Sequence, residues 1–225
     1  MMVDGYARIK GFGVGMSTGG PGAVNLATGI ACSYYDSIPC LYITGQVGMH
    51  HVTGERKVRQ RGFQETDTVS VLRPITKFAE TLTKGEDARY IFEKATYLAT
   101  NGRPGPVIID LPYNVQREMI NSETLRGYVP APKNYTTGKD VSIAAREVVQ
   151  KLRSAKKPLI LVGGGVRVSG MGEEILEFAQ QTGLPVVTTW GASDLFTIDL
   201  KMYLGNLGSS GSPAGVKSVQ EFDVL

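Results

Sequence analysis

The chain has 225 residues, of which 42% are hydrophobic and 20% charged, enough apolar side chain for one large domain or two ordinary ones. Its formal net charge is only +3, with lysine and arginine scattered along the chain, which argues against a nucleic-acid partner or an anionic membrane surface. No signal-peptide pattern and no apolar run of membrane-spanning length are found, so we expect a soluble, cytoplasmic protein.

Short apolar segments alternate with longer amphipathic segments in the first half of the chain, which predicts parallel strands joined by helices. The predicted elements are the end of a helix up to residue 10, strands at 13–17, 38–44, 75–81 and 107–111, and helices at 23–35 and 86–100. Residues 45–70 are polar and predicted to be irregular. Cys32 and Cys40 lack the spacing of a metal site or a disulfide framework and are predicted to be buried free thiols.

Periodicity disappears after residue 112, and the prolines and polar residues that follow predict a linker. A second alternating segment then has predicted helices at 141–152 and 172–182, strands at 159–162 and 185–189, and a tight glycine turn at 163–165. We therefore predict an α/β chain of two doubly wound, mostly parallel-sheet domains, with a first domain at 1–120, a linker at 121–138 and an incomplete second domain at 139–225.

Both ends of the chain are expected to be cut. Residues 1–10 are typical of the last turns of a helix without a start signal, and residues 222–225 of the opening of a strand. A native start at Met1 and a short edge strand at the C-terminus remain the alternative.

A glycine–proline turn joins a predicted strand to a predicted helix within residues 13–25. Glycines at such a turn let backbone N–H groups approach a ligand, and the helix dipole favours polar or anionic groups there. On these residues alone, a tight turn with no ligand explains the pattern equally well.

Several motifs of the first domain occur in the order of a known family. They are DGYAR at 4–8, TGGPGAVN at 18–25, DSIP at 36–39, TGQV at 44–47, GFQETD at 62–67, ITK at 75–77, GRPGPV at 102–107 and DLP at 110–112. Together they resemble the pyrimidine-binding domain of thiamine-diphosphate enzymes, closest to the acetolactate synthases. The match spans nearly the whole first domain.

The resemblance implies roles for individual residues. Pro21, Gly22 and Asn25 would lie near the aminopyrimidine ring of thiamine diphosphate, Gln64 would point at the thiazolium, and Phe63 would line the substrate channel. Without the resemblance, Phe63 fits core packing and Gln64 a solvated loop amide. The family's catalytic glutamate is expected before the segment that matches residues 1–6, and Glu65 does not take its place.

The domain that holds the diphosphate and its Mg²⁺ is expected after residue 225, so this fragment alone is expected to be inactive. Residues 157–166 resemble the family's central domain, which carries FAD in acetolactate synthases, CoA or ADP in some relatives and nothing in others. An NAD fingerprint fits poorly, because Val168 stands where a third small residue is needed. If FAD binds, the matching positions are Gly163, Gly164, Gly165, Thr188, Thr189 and Arg103. Alternatively, the glycines only permit close helix–strand packing.

Three features depart from the synthases. Gly48 replaces a proline, Tyr113 replaces a lysine near the substrate entrance, and residues 46–61 form a longer segment with two histidines and four basic residues, His50, His51, Arg56, Lys57, Arg59 and Arg61. Adjacent histidines without a third ligand do not make a metal site, so we predict none and expect a solvated flap.

The resemblance implies an enzyme that decarboxylates a 2-keto acid and transfers the acyl unit to a second carbonyl compound, with thiamine diphosphate, Mg²⁺ and FAD. It also implies a homodimer or tetramer and a place in branched-chain amino acid biosynthesis. Two alternatives remain. One is another thiamine-diphosphate enzyme, a decarboxylase, C–C hydrolase or sugar-nucleotide relative, which Gly48 and Tyr113 favour. The other is a non-catalytic binding module of the same fold.

Overall fold

The computed structural model describes residues 1–55, 57–132 and 138–223. The chain divides into two compact units, Met1–Ala131 and Pro132–Leu225. Arg56, residues 133–137 of the predicted linker and the last two residues of the predicted C-terminal strand lie outside the described residues. No helix within the described ranges is long and apolar enough to cross a membrane.

The first unit is built on a four-stranded parallel sheet with the strand order β1-β2-β4-β3. In chain order its elements are α1 (Met2–Lys10), β1 (Gly13–Ser17), α2 (Pro21–Asn25), α3 (Ala27–Tyr35), β2 (Cys40–Gln46), α4 (Thr68–Leu72), β3 (Phe78–Thr81), α5 (Ala88–Thr100) and β4 (Val107–Pro112).

Both faces of this sheet are covered. Alternate side chains of a strand point to opposite faces, so neighbours such as Leu41 and Tyr42 enter different hydrophobic clusters. One cluster joins the sheet to α5, through Leu41, Val107, Ile109, Ile91, Ala95 and Ala99. The other joins it to α1, α3 and α4, through Tyr42, Ile108, Ala7, Ile30 and Leu72. This arrangement confirms the predicted α/β class for the first unit and explains why β4 is apolar apart from Asp110.

The second unit contains a three-stranded parallel sheet of order β5-β6-β7. Its elements are α6 (Gly138–Ser154), β5 (Ile160–Val162), α7 (Gly164–Ser169), α8 (Gly172–Thr182), β6 (Val186–Thr188), β7 (Tyr203–Asn206) and α9 (Pro213–Glu221). Its core contains Val162, Ala179, Val186, Ala192 and Phe196.

Some predicted elements differ in their bounds. The helix predicted at 23–35 is divided at Leu26 into α2 and α3. The strand predicted from residue 75 begins at Phe78, because Pro74 lies in a 3-10 turn, Arg73–Ile75, that precedes it. The tight glycine turn predicted at 163–165 is wrong, because Gly163 is the N-cap of α7 and Gly164 and Gly165 are its first residues. Of the two free cysteines, Cys40 is buried as predicted, whereas Cys32 is only half-buried.

Two helices with clear start signals were not predicted. The Asp67 side chain accepts a hydrogen bond of 3.0 Å from Ser70 N and caps α4. The Ser212 hydroxyl accepts one of 3.0 Å from Gly215 N and caps α9, whose first residue is Pro213. Both are ordinary N-cap patterns, so the start of each helix could have been predicted from the sequence. Strand β7 was also missed.

Candidate functional site

A cavity of about 450 Å³ lies where β1, β2 and β4 end. The carboxyl ends of parallel strands meet at one edge of a sheet, and crevices there are the usual ligand sites of α/β folds. The lining combines strand ends with two loops and consists of Met16, Ser17, Thr18, Gly19, Ile43, Thr44, Gly45, Gln46, Val47, Phe63, Gln64, Leu111, Tyr113 and Gln116. We call this the sheet-edge cavity.

Two glycines let the bend after β1 lie against its neighbours. A Cβ on Gly19 would collide with the Gly45 carbonyl oxygen, and one on Gly20 would collide with the Gln64 carbonyl oxygen. Gly20 also has a φ of 58°, which side chains rarely adopt. Gln64 itself has a φ of 57°, unusual for a residue with a Cβ. The bend and the Gln64 loop are therefore in direct backbone contact at the cavity wall.

The structure brings some of the predicted site residues together and leaves others apart. Phe63 and Gln64 both line the sheet-edge cavity. Phe63 is 86% exposed, so the alternative that it packs in a core is wrong. Pro21, Gly22 and Asn25 form α2 and lie outside the lining, where the preceding Thr18 and Gly19 stand instead.

A buried carboxylate fixes one wall of the cavity. Asp110, at the end of β4, is 2% exposed and accepts hydrogen bonds from Thr44 Oγ1 at 2.6 Å and Gln46 Nε2 at 2.9 Å. Burial raises the pKa of Asp110, and these two hydrogen bonds only partly oppose that effect. Gln46 Nε2 also donates to the Thr66 carbonyl oxygen at 2.8 Å, so the amide is held on both sides. Sequence reasoning missed Asp110 in this role.

A second carboxylate fastens the longer segment between β2 and α4. Glu65 accepts four hydrogen bonds, from Thr53 N, Thr53 Oγ1, Arg61 N and Gly62 N. Burial would raise the pKa of Glu65, but these bonds outweigh it and lower the pKa to about 2. The solvated-flap interpretation is therefore only half right: the side chains of this segment are mostly exposed, but its backbone is anchored.

A smaller cavity of about 360 Å³ shares part of its wall with the sheet-edge cavity. Both are lined by Val47, Phe63 and Tyr113. The Tyr113 hydroxyl accepts a hydrogen bond from Arg117. The smaller cavity is completed by Gly48, His51, Arg61 and Gly62. In the described part of the chain, no group of three or more His, Cys, Asp or Glu residues could hold a metal ion.

The glycines of the second unit pack closely against the loop after β6. A Cβ on Gly191 would lie 3.3 Å from Gly164 Cα, and Thr189 N donates to the Val162 carbonyl oxygen at 2.9 Å. Thr188 is fully buried, and its hydroxyl contacts Asn206 Oδ1 at 2.7 Å. An added Cβ on Gly165 would have no heavy atom of the described residues within 4 Å, so close packing does not require glycine at this position.

Arg103 belongs to the first unit. Its guanidinium donates to Ser37 Oγ at 2.7 Å and to the Tyr35 carbonyl oxygen at 3.4 Å. These bonds join the loop after α5 to the C-terminal end of α3. Arg103 therefore has a structural role within its own unit.

Comparisons with known proteins match both parts of the chain. The family model described as the thiamine pyrophosphate enzyme N-terminal TPP binding domain matches residues 1–71, and the one described as the thiamine pyrophosphate enzyme central domain matches residues 145–225. A probable acetolactate synthase large subunit of Methanocaldococcus jannaschii is 39% identical over 227 residues, which cover 99% of this chain and 37% of the relative.

Two further relatives have similar names. The acetolactate synthase large subunit of Lactococcus lactis is 37% identical, over 99% of this chain and 38% of the relative. The acetolactate synthase isozyme 3 large subunit of Escherichia coli is 35% identical, over 100% of this chain and 38% of the relative. The chain therefore spans a little over a third of the length of these relatives.

Proposed function

Since the chain belongs to the thiamine pyrophosphate enzyme family, we propose that it forms part of a carboligase resembling acetolactate synthase. Such an enzyme decarboxylates a 2-keto acid and transfers the acyl unit to a second carbonyl compound, which makes it a transferase or lyase. The observation that carries the proposal is the sheet-edge cavity, which is lined by both Gly19 of the bend after β1 and Gln64 of the loop that the bend contacts through Gly20.

The cavity suits the aminopyrimidine–thiazolium part of the cofactor. Its volume of about 450 Å³ is within the range of small-molecule sites, which are mostly apolar with few polar groups. When bound, thiamine diphosphate would supply the carbanion chemistry. We assign Gln64 to the reacting end of the cofactor and Pro21, Gly22 and Asn25, next to the lining residue Gly19, to its pyrimidine end.

The protein's own contribution would be orientation and exclusion of water. Met16, Ile43 and Leu111 give the cavity apolar walls, where an amide such as that of Gln64 stabilises developing negative charge more strongly than in water. Phe63 would cover the substrate. No carboxylate is among the described residues that line the cavity, so we expect no turnover from these 225 residues alone.

The remaining cofactors are part of the proposal. Mg²⁺ would accompany the diphosphate and be held by other residues of the enzyme. FAD would lie on the second unit at Gly163, Gly164, Gly165 and Thr189, a placement supported by Gly165, where close packing does not require glycine. Thr188 and Arg103 stay proposed flavin contacts, and their hydrogen bonds to Asn206 and Ser37 hold each side chain in place within its own unit.

We further propose a homo-oligomeric, cytoplasmic enzyme of branched-chain amino acid biosynthesis. Apolar side chains exposed on α1 and β1, such as Met2, Ile9 and Met16, support association with further protein surface. A reducing compartment suits Cys40, whose free thiol is buried against the Ser33 hydroxyl.

One observation favours the alternative of a different thiamine-diphosphate enzyme. Gly48 has a φ of −56°, which proline also adopts, and an added Cβ would meet only the movable ring of exposed His50 within 3.5 Å, so the observation concerns Tyr113 rather than Gly48. With Tyr113 in place of the lysine, the substrate side of the cavity differs from that of the synthases. A decarboxylase, C–C hydrolase or sugar-nucleotide relative is therefore the second candidate.

The experiment uses the complete protein encoded by the gene, supplied with thiamine diphosphate, Mg²⁺ and pyruvate, with products identified by mass spectrometry. Acetolactate supports the carboligase, and acetaldehyde alone supports a decarboxylase. Folded protein that binds the cofactor without consuming any 2-keto acid would leave only a binding module.

A further inference from the structure

The segment between Val47 and Gly62, which we call the basic loop, forms the wall of the smaller cavity. The cavity takes His51 and Arg61 from this loop, together with Phe63 and Tyr113 from outside it. Val47, Phe63 and Tyr113 also line the sheet-edge cavity, so the two cavities are neighbours that share part of one wall.

The basic loop is anchored where it begins. Met49 N donates to Asn114 Oδ1 at 2.8 Å, and His51 N donates to the Gly48 carbonyl oxygen at 2.7 Å within a 3-10 turn, Met49–His51. Asn114 directly follows Tyr113, so the position of His51 is tied to a residue that lines both cavities.

The loop is also anchored where it ends. Arg61 N and Gly62 N donate to Glu65 Oε2 at 2.9 Å and 3.2 Å, and Thr53 Oγ1 donates to the same oxygen at 2.6 Å. The Glu65 carboxylate therefore fixes the backbone from which the Arg61 side chain leaves. A backbone fixed in this way loses less conformational entropy when the loop binds a ligand.

The charge of Arg61 is not balanced at the cavity. Within residues 1–55, 57–132 and 138–223, its guanidinium makes no ion pair, and none of the described lining residues carries a carboxylate. Glu65 is the nearest acid along the chain, but its oxygens are occupied by backbone and hydroxyl donors of the loop. A cation beside the apolar surfaces of Val47 and Phe63 attracts anions more strongly than one in open solvent.

We propose that Arg61 and His51 form an anion subsite for the acceptor substrate. The acceptor reacts through a carbonyl in the sheet-edge cavity and carries a carboxylate or phosphate at its far end, which the smaller cavity binds. Arginine pairs with either anion through two parallel N–H donors, and the imidazole adds a third donor. This inference rests on the proposed function, because it requires the carbonyl chemistry to take place in the sheet-edge cavity.

The subsite can be tested by NMR. The isotope-labelled chain is titrated with pairs of carbonyl compounds that differ in whether they carry a distal anion, and the chemical shifts give the affinity for each compound. The carboxylate pair is 2-oxoglutarate against 2-oxopentanoate, and the phosphate pair is dihydroxyacetone phosphate against dihydroxyacetone. In at least one pair the compound with the distal anion should bind roughly tenfold more tightly, the size of one charge-assisted hydrogen bond, with shifts at Gly48 and Gly62.

The variant Arg61→Gln should reduce that preference to about twofold or less, because glutamine is polar and has two N–H donors but carries no charge. The matched control is Arg59→Gln, which changes a basic residue of the same loop that is not among the described residues lining the smaller cavity, and it should keep the full preference. The pair that depends on Arg61 identifies the anion as carboxylate or phosphate.

Equal binding within both pairs, or a preference that survives in Arg61→Gln, overturns the subsite. Thiamine added to the same samples separates this failure from failure of the proposed function. Thiamine shifts at Gly19 and Gln64 with no anion preference would leave the cofactor site intact and the subsite wrong. Well-dispersed spectra of each variant show that it is folded.

Discussion

A side chain on Gly20 would overlap the backbone of Gln64. A Cβ there would collide with the Gln64 carbonyl oxygen and lie 3.0 Å from Gln64 Cβ. This contact joins the bend after β1 to the loop that carries Phe63, two segments more than 40 residues apart in sequence. It therefore determines the shape of the sheet-edge cavity.

Substitution Gly20→Ala should destabilise the first unit and displace the Gln64 loop. The matched control is Gly54→Ala, because Gly54 has the same φ of 58° but no heavy atom of the described residues within 4 Å of an added Cβ. The control should cost only the conformational strain, about 1–2 kcal/mol, and Gly20→Ala at least about 1 kcal/mol more. Urea unfolding measures both, and equal costs would show that the contact is unimportant.

Phe63→Ala should leave stability almost unchanged, within about 0.5 kcal/mol, because the side chain is largely exposed. It should nevertheless weaken thiamine binding, since Phe63 lines the sheet-edge cavity. Leu72→Ala, at a fully buried position, should lower the free energy of unfolding by about 2–5 kcal/mol and leave thiamine binding by the folded protein unchanged. Unfolding curves and calorimetric titrations compare the two, and a large stability loss for Phe63→Ala would contradict its placement.

Asp110→Ala should cost about 2–5 kcal/mol, because it leaves the Thr44 hydroxyl and the Gln46 amide without their acceptor in a buried site. Asp67→Ala should cost only about 1 kcal/mol, since it removes the N-cap of α4 at an exposed position. Thermal unfolding gives this order. A milder effect for Asp110→Ala than for Asp67→Ala would mean that the buried network does not hold the cavity wall.

Glu65 should make stability depend on pH. Its folded pKa of about 2 lies below the ordinary value of 4.5, so the folded state binds fewer protons than the unfolded state in this interval. Its contribution is fully present above pH 4.5 and disappears as the pH falls through about 2. The difference in urea midpoint between the wild type and Glu65→Gln should shrink across this window. A difference in midpoint that stays constant across this window would contradict the role of Glu65.

Much of the fold could be predicted from local pattern. The bounds of β1 and α8 are as predicted, because glycines or a change of periodicity mark their ends. The caps of α4 and α9 were equally local and were overlooked. By contrast, the start of β3 was predicted too early. The residues from Ile75 onward have side chains typical of a strand, but the 3-10 turn that contains Pro74 delays the strand to Phe78.

The candidate site was harder to predict, because its important contacts join distant segments. Asp110 and Gln46 are 64 residues apart, and only pairing of β2 with β4 brings them together. Likewise, the sequence alone did not show whether Phe63 packs in a core or lines a cavity. That depends on the contact between Gly20 and Gln64, which are distant in sequence. The motif around Pro21 lies beside the sheet-edge cavity, but the lining consists of the residues just before it.

The central claim, that the sheet-edge cavity binds the aminopyrimidine–thiazolium part of the cofactor, is tested most directly by titrating thiamine into the isotope-labelled chain. Thiamine lacks the diphosphate, so binding reports on this cavity alone. We predict saturable shifts centred on Gly19, Gly45 and Gln64, weakened by Gln64→Ala and unchanged by Gln220→Ala in α9. Shifts that avoid these residues, or none in a folded sample at saturating thiamine, would contradict it.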